Sequence, residues 1–235
     1  VKKALDKYNE LSIKIEHSDI RIFKDENYAS EGLELSSDMT DCDLLLGVKE
    51  IPVDYLIPNK TYVFFSHTIK KQEHNRKLLQ ACLEKNITLM DHETFVDGKN
   101  TRIIGFGRYA GIVGAYNTLR GFGLKYELFE LAKAETLLHK EDLIYRLKKQ
   151  YFPPIKIVVT GTGKVAHGIM EILDGMKMKK VSKEHFLTQK YDRPVYTQIG
   201  VEDYYKRIDG TEGNKQDFYD HPELYTSDFD RFTRV

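Results

Sequence analysis

Apolar residues fall in short blocks along this chain, and the spacing inside each block separates strands from helices. Val1, Leu5 and Tyr8 open the chain in a helical rhythm. Residues 43–48, Asp-Leu-Leu-Leu-Gly-Val, form an apolar run between polar neighbours, the pattern of a buried strand. Residues 61–66, Thr-Tyr-Val-Phe-Phe-Ser, are aromatic and β-favouring, and Ile87-Thr-Leu-Met90 is a third strand. Between these two, residues 70–85 carry Leu78, Leu79, Cys82 and Leu83 at helical spacing, with Asn86 near the stop. Strand, helix, strand in that order implies a parallel α/β unit. Gly98 marks a turn, and residues 102–106, Arg-Ile-Ile-Gly-Phe, read as a further extended piece.

Residues 107–122 read as a helix crowded with small side chains: Gly107, Ala110, Gly111, Gly114, Ala115 and Gly121. Each interior glycine costs about 1 kcal/mol of helix propensity relative to alanine, so a close approach of backbone must offset it. Another helix, a cofactor or a neighbouring domain would each serve. A membrane pairing motif does not fit, because Arg108, Asn117 and Arg120 interrupt the stretch. Residues 126–150 are charged, with Leu128, Leu131, Leu137, Leu138, Leu143 and Leu147 as apolar positions, and are expected to be helical. Pro153-Pro154 ends them and is the expected domain boundary. Beyond it come a β-branched strand at 155–160 and a helix with Ile169, Ile172 and Leu173 on one face, closed by Gly175. The last stretch is rich in Tyr, Asp and Glu and has no clear period.

The implied class is α/β. A flavodoxin/Rossmann-like parallel-sheet domain is expected over 1–122, a helical connection over 123–154, and part of a second Rossmann domain that binds NAD(P) over 155–235. The chain starts with Val1 inside a helical pattern and stops directly after an aromatic and charged stretch, so a fragment of something longer is expected.

Composition removes several alternatives. Lys+Arg and Asp+Glu both number 36, which gives no basic surface for nucleic acid. The two cysteines, Cys42 and Cys82, have no zinc-ligand spacing, and two buried thiols in a reducing cytoplasm are expected. His17, His74, His92, His139, His185 and His221 likewise lack ligand spacing, so no metal is expected. No apolar run reaches the ~18–20 residues that span a bilayer. A cytoplasmic protein with a small-molecule partner remains, its homo-oligomerisation left open.

The chemistry begins at Gly161-x-Gly163-x-x-Ala166, which follows a strand and opens a helix as a dinucleotide fingerprint requires. Gly161 permits the tight turn, Gly163 lets backbone approach a pyrophosphate, and Ala166 lets helix lie against strand. With Lys164, at the helix start, these are the candidate cofactor residues; His167 also lies inside the turn. A plain strand-to-helix glycine turn is the alternative. The acidic residue expected about 20 positions on is not obvious, since that neighbourhood, 179–184, is Lys-Lys-Val-Ser-Lys-Glu. Lys179, Lys180 and Lys183 could face a 2′-phosphate or simply line a solvated face, so NAD or NADP stays open. In the first half, Lys49-Glu50 and His67 stand at two strand ends, and strand C-termini of α/β proteins face the ligand crevice.

GVKEIP at 47–52, TYVFFSHTIKKQ at 61–72 and FGRYAG at 106–111 resemble the lysine–2-oxoglutarate reductase/saccharopine dehydrogenase family, within the group that includes alanine dehydrogenase and transhydrogenase. VVTGTGKVAHG at 158–168, VSKEHFL and PVYTQIGVEDY resemble its reductase branch. The resemblance covers roughly residues 41–125 and 155–205. It implies an oxidoreductase of the CH–NH bond of an amino acid using NAD(P), with Lys49 and His67 as the acid–base pair. It implies Glu50 and Glu93 as carboxylates tuning that pair, Lys70 close to the site, and Arg102 binding a substrate carboxylate. Some relatives carry an arginine doublet there, which Thr101 breaks. Relatives also have an earlier substrate-binding arginine and later strands of the nucleotide domain, so the fragment alone is not expected to be fully active. Two other functions compete: an alanine-dehydrogenase-like enzyme on a smaller keto acid, and a nucleotide-binding regulatory module without turnover.

Overall fold

The computed structural model describes residues 1–234. The chain divides into two compact units, Val1–Gly105 and Phe106–Val235. The division falls well before Pro153-Pro154, because the small-residue helix after residue 106 packs within the second unit.

In the first unit, α1 (Lys2–Lys7) precedes a two-stranded parallel ribbon of β1 (Lys14–Glu16) and β2 (Glu34–Ser36), with α2 (Asp25–Ala29) between them. The main sheet is parallel, in the order β3 (Leu44–Lys49), β4 (Thr61–Phe65), β5 (Thr88–Asp91), and α3 (Arg76–Glu84) joins the last two. This is the expected parallel α/β unit. β4 pairs on both sides and carries the burial: Tyr62, Val63, Phe64 and Phe65 are all buried, and Leu78, Ala81 and Cys82 of α3 pack with Tyr62 and Phe64. β3 is an edge strand, and its apolar run is not the buried one its pattern implied; Leu46 is 73% exposed and Val48 60%. The helix expected over 70–85 starts only at Arg76. His67 (φ 56°) and Lys71 (φ 53°) are left-handed, and short 3-10 turns at Thr68–Lys70 and Glu73–Asn75 take up the chain between them and α3. The extended piece expected over 102–106 shrinks to an isolated antiparallel bridge of Arg102 with Val96.

In the second unit, α4 (Gly107–Lys125) lies against α6 (Lys164–Gly175), which answers what the small residues are for. A Cβ on Gly111 would sit 2.0 Å from the Val165 carbonyl oxygen, and one on Gly168 2.0 Å from that of Arg108. The helices touch backbone to backbone. Arg108 adds a forked ion pair to Glu171, which Lys140 also meets at 3.0 Å. Residues 126–150 are not one helix. Glu127 is left-handed (φ 54°), the Leu128 amide closes back onto Gly123, and Phe129 covers Gly123 where a Cβ would lie 2.3 Å from its ring. Helix resumes only as α5 (Lys140–Lys148), where the Asp142 carboxylate accepts from the His139 amide at 3.0 Å. Three of the leucines of 126–150 are nonetheless core: Leu131, Leu143 and Leu147 are buried with Tyr116, Leu119 and Ile172, while Leu128 and Leu138 are exposed.

The second sheet is also parallel, ordered β6 (Lys156–Thr160), β8 (Val195–Ile199), β7 (Lys179–Lys180), with α7 (Lys183–Thr188) preceding β8. The aromatic tail that had no readable period forms an antiparallel pair, β9 (Tyr205–Arg207) with β10 (Tyr225–Ser227), flanking α8 (Lys215–Asp220). The strands, helices and connections thus give α/β units with parallel sheets in both halves.

Candidate functional site

Three neighbouring parallel strands of the first unit end at the same edge, and each end delivers a titratable side chain. Lys49 is the last residue of β3, opposite Phe65 of β4 across a bulge. His67 follows β4 by two residues, and Glu93 follows β5 inside the 3-10 turn His92–Thr94. Lys49 Nζ lies 3.4 Å from His67 Nε2, and His67 Nδ1 lies 2.9 Å from Glu93 Oε2. Lys70 Nζ meets Glu93 Oε1 at 3.1 Å, and Arg102 pairs with the same oxygen. The Glu93 side chain is only 4% exposed, whereas Lys70 and Arg102 are about half exposed, at 47% and 48%.

Three cationic or hydrogen-donating neighbours act on that carboxyl. Its bond to His67 is the largest influence, Lys70 and Arg102 add to it, and burial opposes them; the net result holds Glu93 down at about 2. An ionised carboxylate only accepts, so His67 must present Nδ1–H to it. The lone pair of the neutral imidazole is then at Nε2, facing the Lys49 ammonium. This arrangement can take up a proton at Nε2 and offer one from Lys49.

Of the six residues the sequence names for this site, five converge: Lys49, His67, Glu93, Lys70 and Arg102. Glu50 does not join them; it is exposed beside Lys49, outside the hydrogen-bonded cluster. Two residues to which the sequence reading gave no role support the cluster. Buried Asp91 accepts from the Ser66 hydroxyl through one oxygen and from the Glu93 amide, at 2.8 Å, through the other. Ser66 Oγ also accepts from the Thr68 amide at 3.2 Å, bracketing the left-handed His67. Holding a non-glycine residue at positive φ costs free energy, and this clamp supplies it locally. A polar residue closing each apolar strand, Ser66 and Asp91, was the available signal.

The glycine turn of the second unit lies between β6 and α6. Gly161 has φ +88°, the left-handed region that favours glycine, and Gly163 is the N-cap of α6. A Cβ at either position would meet nothing within 4 Å, so the space over the turn is open. Ala166 is buried between helix and strand, and Lys164 is the exposed first residue of α6. The amides of a helix's first turn have no partner within the helix and favour an anion. Turn, open space and free helix start fit a nucleotide pyrophosphate. In the basic neighbourhood 179–184, Lys179 and Lys180 form the outer strand β7, the Lys180 ammonium donates at 3.1 Å to Gln198, whose amide donates in turn to the Gly161 carbonyl of this turn at 3.0 Å, and Lys183 pairs with Asp203.

Among the described residues no group of His, Cys, Asp and Glu is arranged to hold a metal, and no helix is long and apolar enough to cross a membrane. Neither cysteine is in a disulfide; Cys82 is buried, but Cys42 only half so.

Residues 1–113 match the family model of the alanine dehydrogenase/PNT N-terminal domain. Over 92% of its length the chain is 33% identical to mitochondrial alpha-aminoadipic semialdehyde synthase of Mus musculus, and 30% identical to alpha-aminoadipic semialdehyde synthase of Arabidopsis thaliana. It is 30% identical, over 44% of its length, to saccharopine dehydrogenase (NAD(+), L-lysine-forming) of Emericella nidulans. The chain spans about a quarter of the length of these curated relatives: 26%, 24% and 29% respectively. Among solved structures an L-alanine dehydrogenase is similar at TM-score 0.48 and 12% identity, over 84% of this chain and 55% of that one.

Proposed function

We propose that this chain, whose residues 1–113 belong to the alanine dehydrogenase/PNT N-terminal domain family, is part of an NAD(P)-dependent dehydrogenase acting on the carbon–nitrogen bond of an amino acid. The proposed type is saccharopine dehydrogenase/lysine–2-oxoglutarate reductase. The observation that carries this reading is the chain Lys49–His67–Glu93 at the ends of three adjacent strands. Oxidising a secondary amine needs its proton removed, and the resulting imine then needs water added and a proton returned. His67 Nε2 is the base for the amine or the water, oriented by Glu93 through Nδ1. Lys49, at 3.4 Å, is the donor that restores the proton. Arg102 and Lys70 each pair with Glu93 yet stay half exposed, which suits them to hold substrate carboxylates. The nicotinamide nucleotide supplies the hydride acceptor when bound, and Gly161, Gly163, Lys164 and Ala166 are its proposed binding turn.

Functionally we divide the chain as substrate chemistry up to residue 122, a connection over 123–154 and nucleotide binding from 155. Cytoplasmic residence is proposed from the unpaired thiols. The name of the mouse relative places that protein in mitochondria, and subcellular fractionation decides between the two.

The test is a hydride-transfer assay on the longer protein that contains this chain, with saccharopine, with lysine plus 2-oxoglutarate, and with alanine, each with NAD and NADP. Absorbance change with the first two substrates is expected. A change with alanine alone overturns the substrate, and silence throughout favours a regulatory module. In the same assay His67→Ala should lower turnover by roughly 10²–10⁴, the usual size of an acid–base contribution; an unchanged rate removes His67 from the chemistry.

A further inference from the structure

Burying a polar side chain costs free energy unless a partner satisfies it, so buried polar groups collect where geometry matters. Among the described residues the buried polar side chains are Ser66, Asn75, Asp91, Glu93 and Thr197. The first four form one connected group around His67. Glu93 meets the imidazole, and the Asn75 amide donates to the His67 carbonyl at 3.4 Å. Asp91 joins Ser66 to the Glu93 backbone.

Proton directions in this group follow from Asp91. A carboxylate only accepts, so the single proton of the Ser66 hydroxyl points to Asp91. The Ser66 lone pairs are then left for the Thr68 amide at 3.2 Å and the Thr68 hydroxyl at 2.8 Å. The other Asp91 oxygen takes the Glu93 amide at 2.8 Å, which caps the turn His92–Thr94. Capping needs only that one oxygen. The second is spent on a residue 25 positions earlier, on the neighbouring strand's end.

We propose that Asp91 is a positioning residue: by bridging Ser66 and the Glu93 amide it holds the His67 imidazole against the Glu93 carboxylate and fixes which ring nitrogen carries the proton. This rests on the reading of the Lys49–His67–Glu93 chain given above. His67 and Glu93 belong to different strand ends, and His67 sits in left-handed backbone that needs outside support. Without a tie between the two ends, each follows its own turn and the 2.9 Å bond is not maintained. The hydrogen bonds of Asp91 go to Ser66 and to backbone, not to the reacting groups, so its action passes through them.

The experiment compares the native sequence with Ser66→Ala, Asp91→Ala and Asp91→Asn. Imidazole ¹⁵N shifts of His67 are read on this chain, at a pH alkaline enough for a neutral ring. Turnover is read on the longer protein. The native ring should show one fixed tautomer, protonated at Nδ1. In Ser66→Ala and Asp91→Ala the two nitrogen shifts should converge, and turnover should fall about ten-fold and about 10²-fold respectively, as for slight misplacement of a reacting group. Asp91→Asn can still bridge the two groups, with the serine proton redirected to Thr68, and should stay close to native. If Asp91→Ala does not fold, Ser66→Ala carries the test, because it deletes one hydroxyl and leaves the turn capped. Native shifts and turnover in Ser66→Ala would reduce Asp91 to a cap and overturn the proposal. So would a native ring without a fixed tautomer, or an Asp91→Asn chain as impaired as Asp91→Ala. The shifts are independent of substrate: converging shifts without native turnover on the proposed substrates would sink the function and keep the positioning role.

Discussion

Both units present the C-terminal ends of parallel strands, but they furnish those ends in opposite ways. In the first unit, Lys49 ends β3, and His67 and Glu93 follow the ends of β4 and β5 by two residues, long polar side chains joined through His67. In the second, β6 finishes in Gly161-Thr162-Gly163, where side chains are removed and backbone is exposed. One site is made of functional groups and depends on what holds them. The other is made of open space and depends on nothing entering it. The same substitution logic should therefore give different results in the two units, and stability and function should separate in only one of them.

The largest effect on stability should come from a glycine outside either site. At Gly168 a Cβ would lie 2.0 Å from the Arg108 carbonyl oxygen and 2.9 Å from the Ile112 amide nitrogen, both backbone atoms that cannot rotate away. Gly168→Ala should therefore cost about 3 kcal/mol or more in chemical denaturation, the upper range for overpacking, despite alanine's better helix propensity. A stable Gly168→Ala chain would mean that α4 and α6 do not touch as described.

That contact also shows where a sequence is readable and where it is not. The small residues of 107–122 announce a close approach, but not to what; Gly168 supplies the partner only once α6 is placed against α4. Strand order is hidden for the same reason. Nothing local in Lys179-Lys180 says that β8 will insert between it and β6. Period failed at 126–150 because the leucines there are anchored by a chain reversal at Glu127 rather than by one helix. Glu93 was legible only through the family resemblance, whereas Lys49 and His67 were legible because each stands at the end of an apolar strand, and strand ends in parallel sheets gather. Asp91 and Ser66 do the same, yet small polar residues at strand ends are too common to single out.

A smaller effect, felt in stability and chemistry together, is expected at Glu93. Glu93→Gln removes the charge that His67, Lys70 and Arg102 share, at a cost of about 2 kcal/mol, as for lost charge-assisted hydrogen bonds. The amide can also donate, so the preference of His67 for the Nδ1–H tautomer should weaken, visible in its ¹⁵N shifts. The acid limb of the stability profile gives the sign. The folded carboxyl is held at about 2, below its ordinary 4.5. Its contribution is therefore complete above about pH 4.5 and is lost as pH falls from there through 2. Glu93→Gln should flatten that limb. A variant with the native acid profile would show that the cations do not act on this carboxyl.

The smallest stability change is expected where the functional change is sharpest. Gly163 has φ −90°, accessible to any residue, and a Cβ there meets nothing within 4 Å. Gly163→Ala should leave the denaturation midpoint within about 0.5 kcal/mol of native, as for an unconstrained surface site. The same Cβ would stand in the open space over the first turn of α6, where the pyrophosphate of the proposed nucleotide would approach the backbone. ADP-ribose affinity should fall while the fold stays. The contrast with Gly168→Ala then isolates the reason each glycine is present: one accommodates a helix, the other a ligand. If Gly163→Ala kept full nucleotide affinity, the turn would be an ordinary strand-to-helix connection, and the difference between the two strand edges would reduce to the side chains of the first.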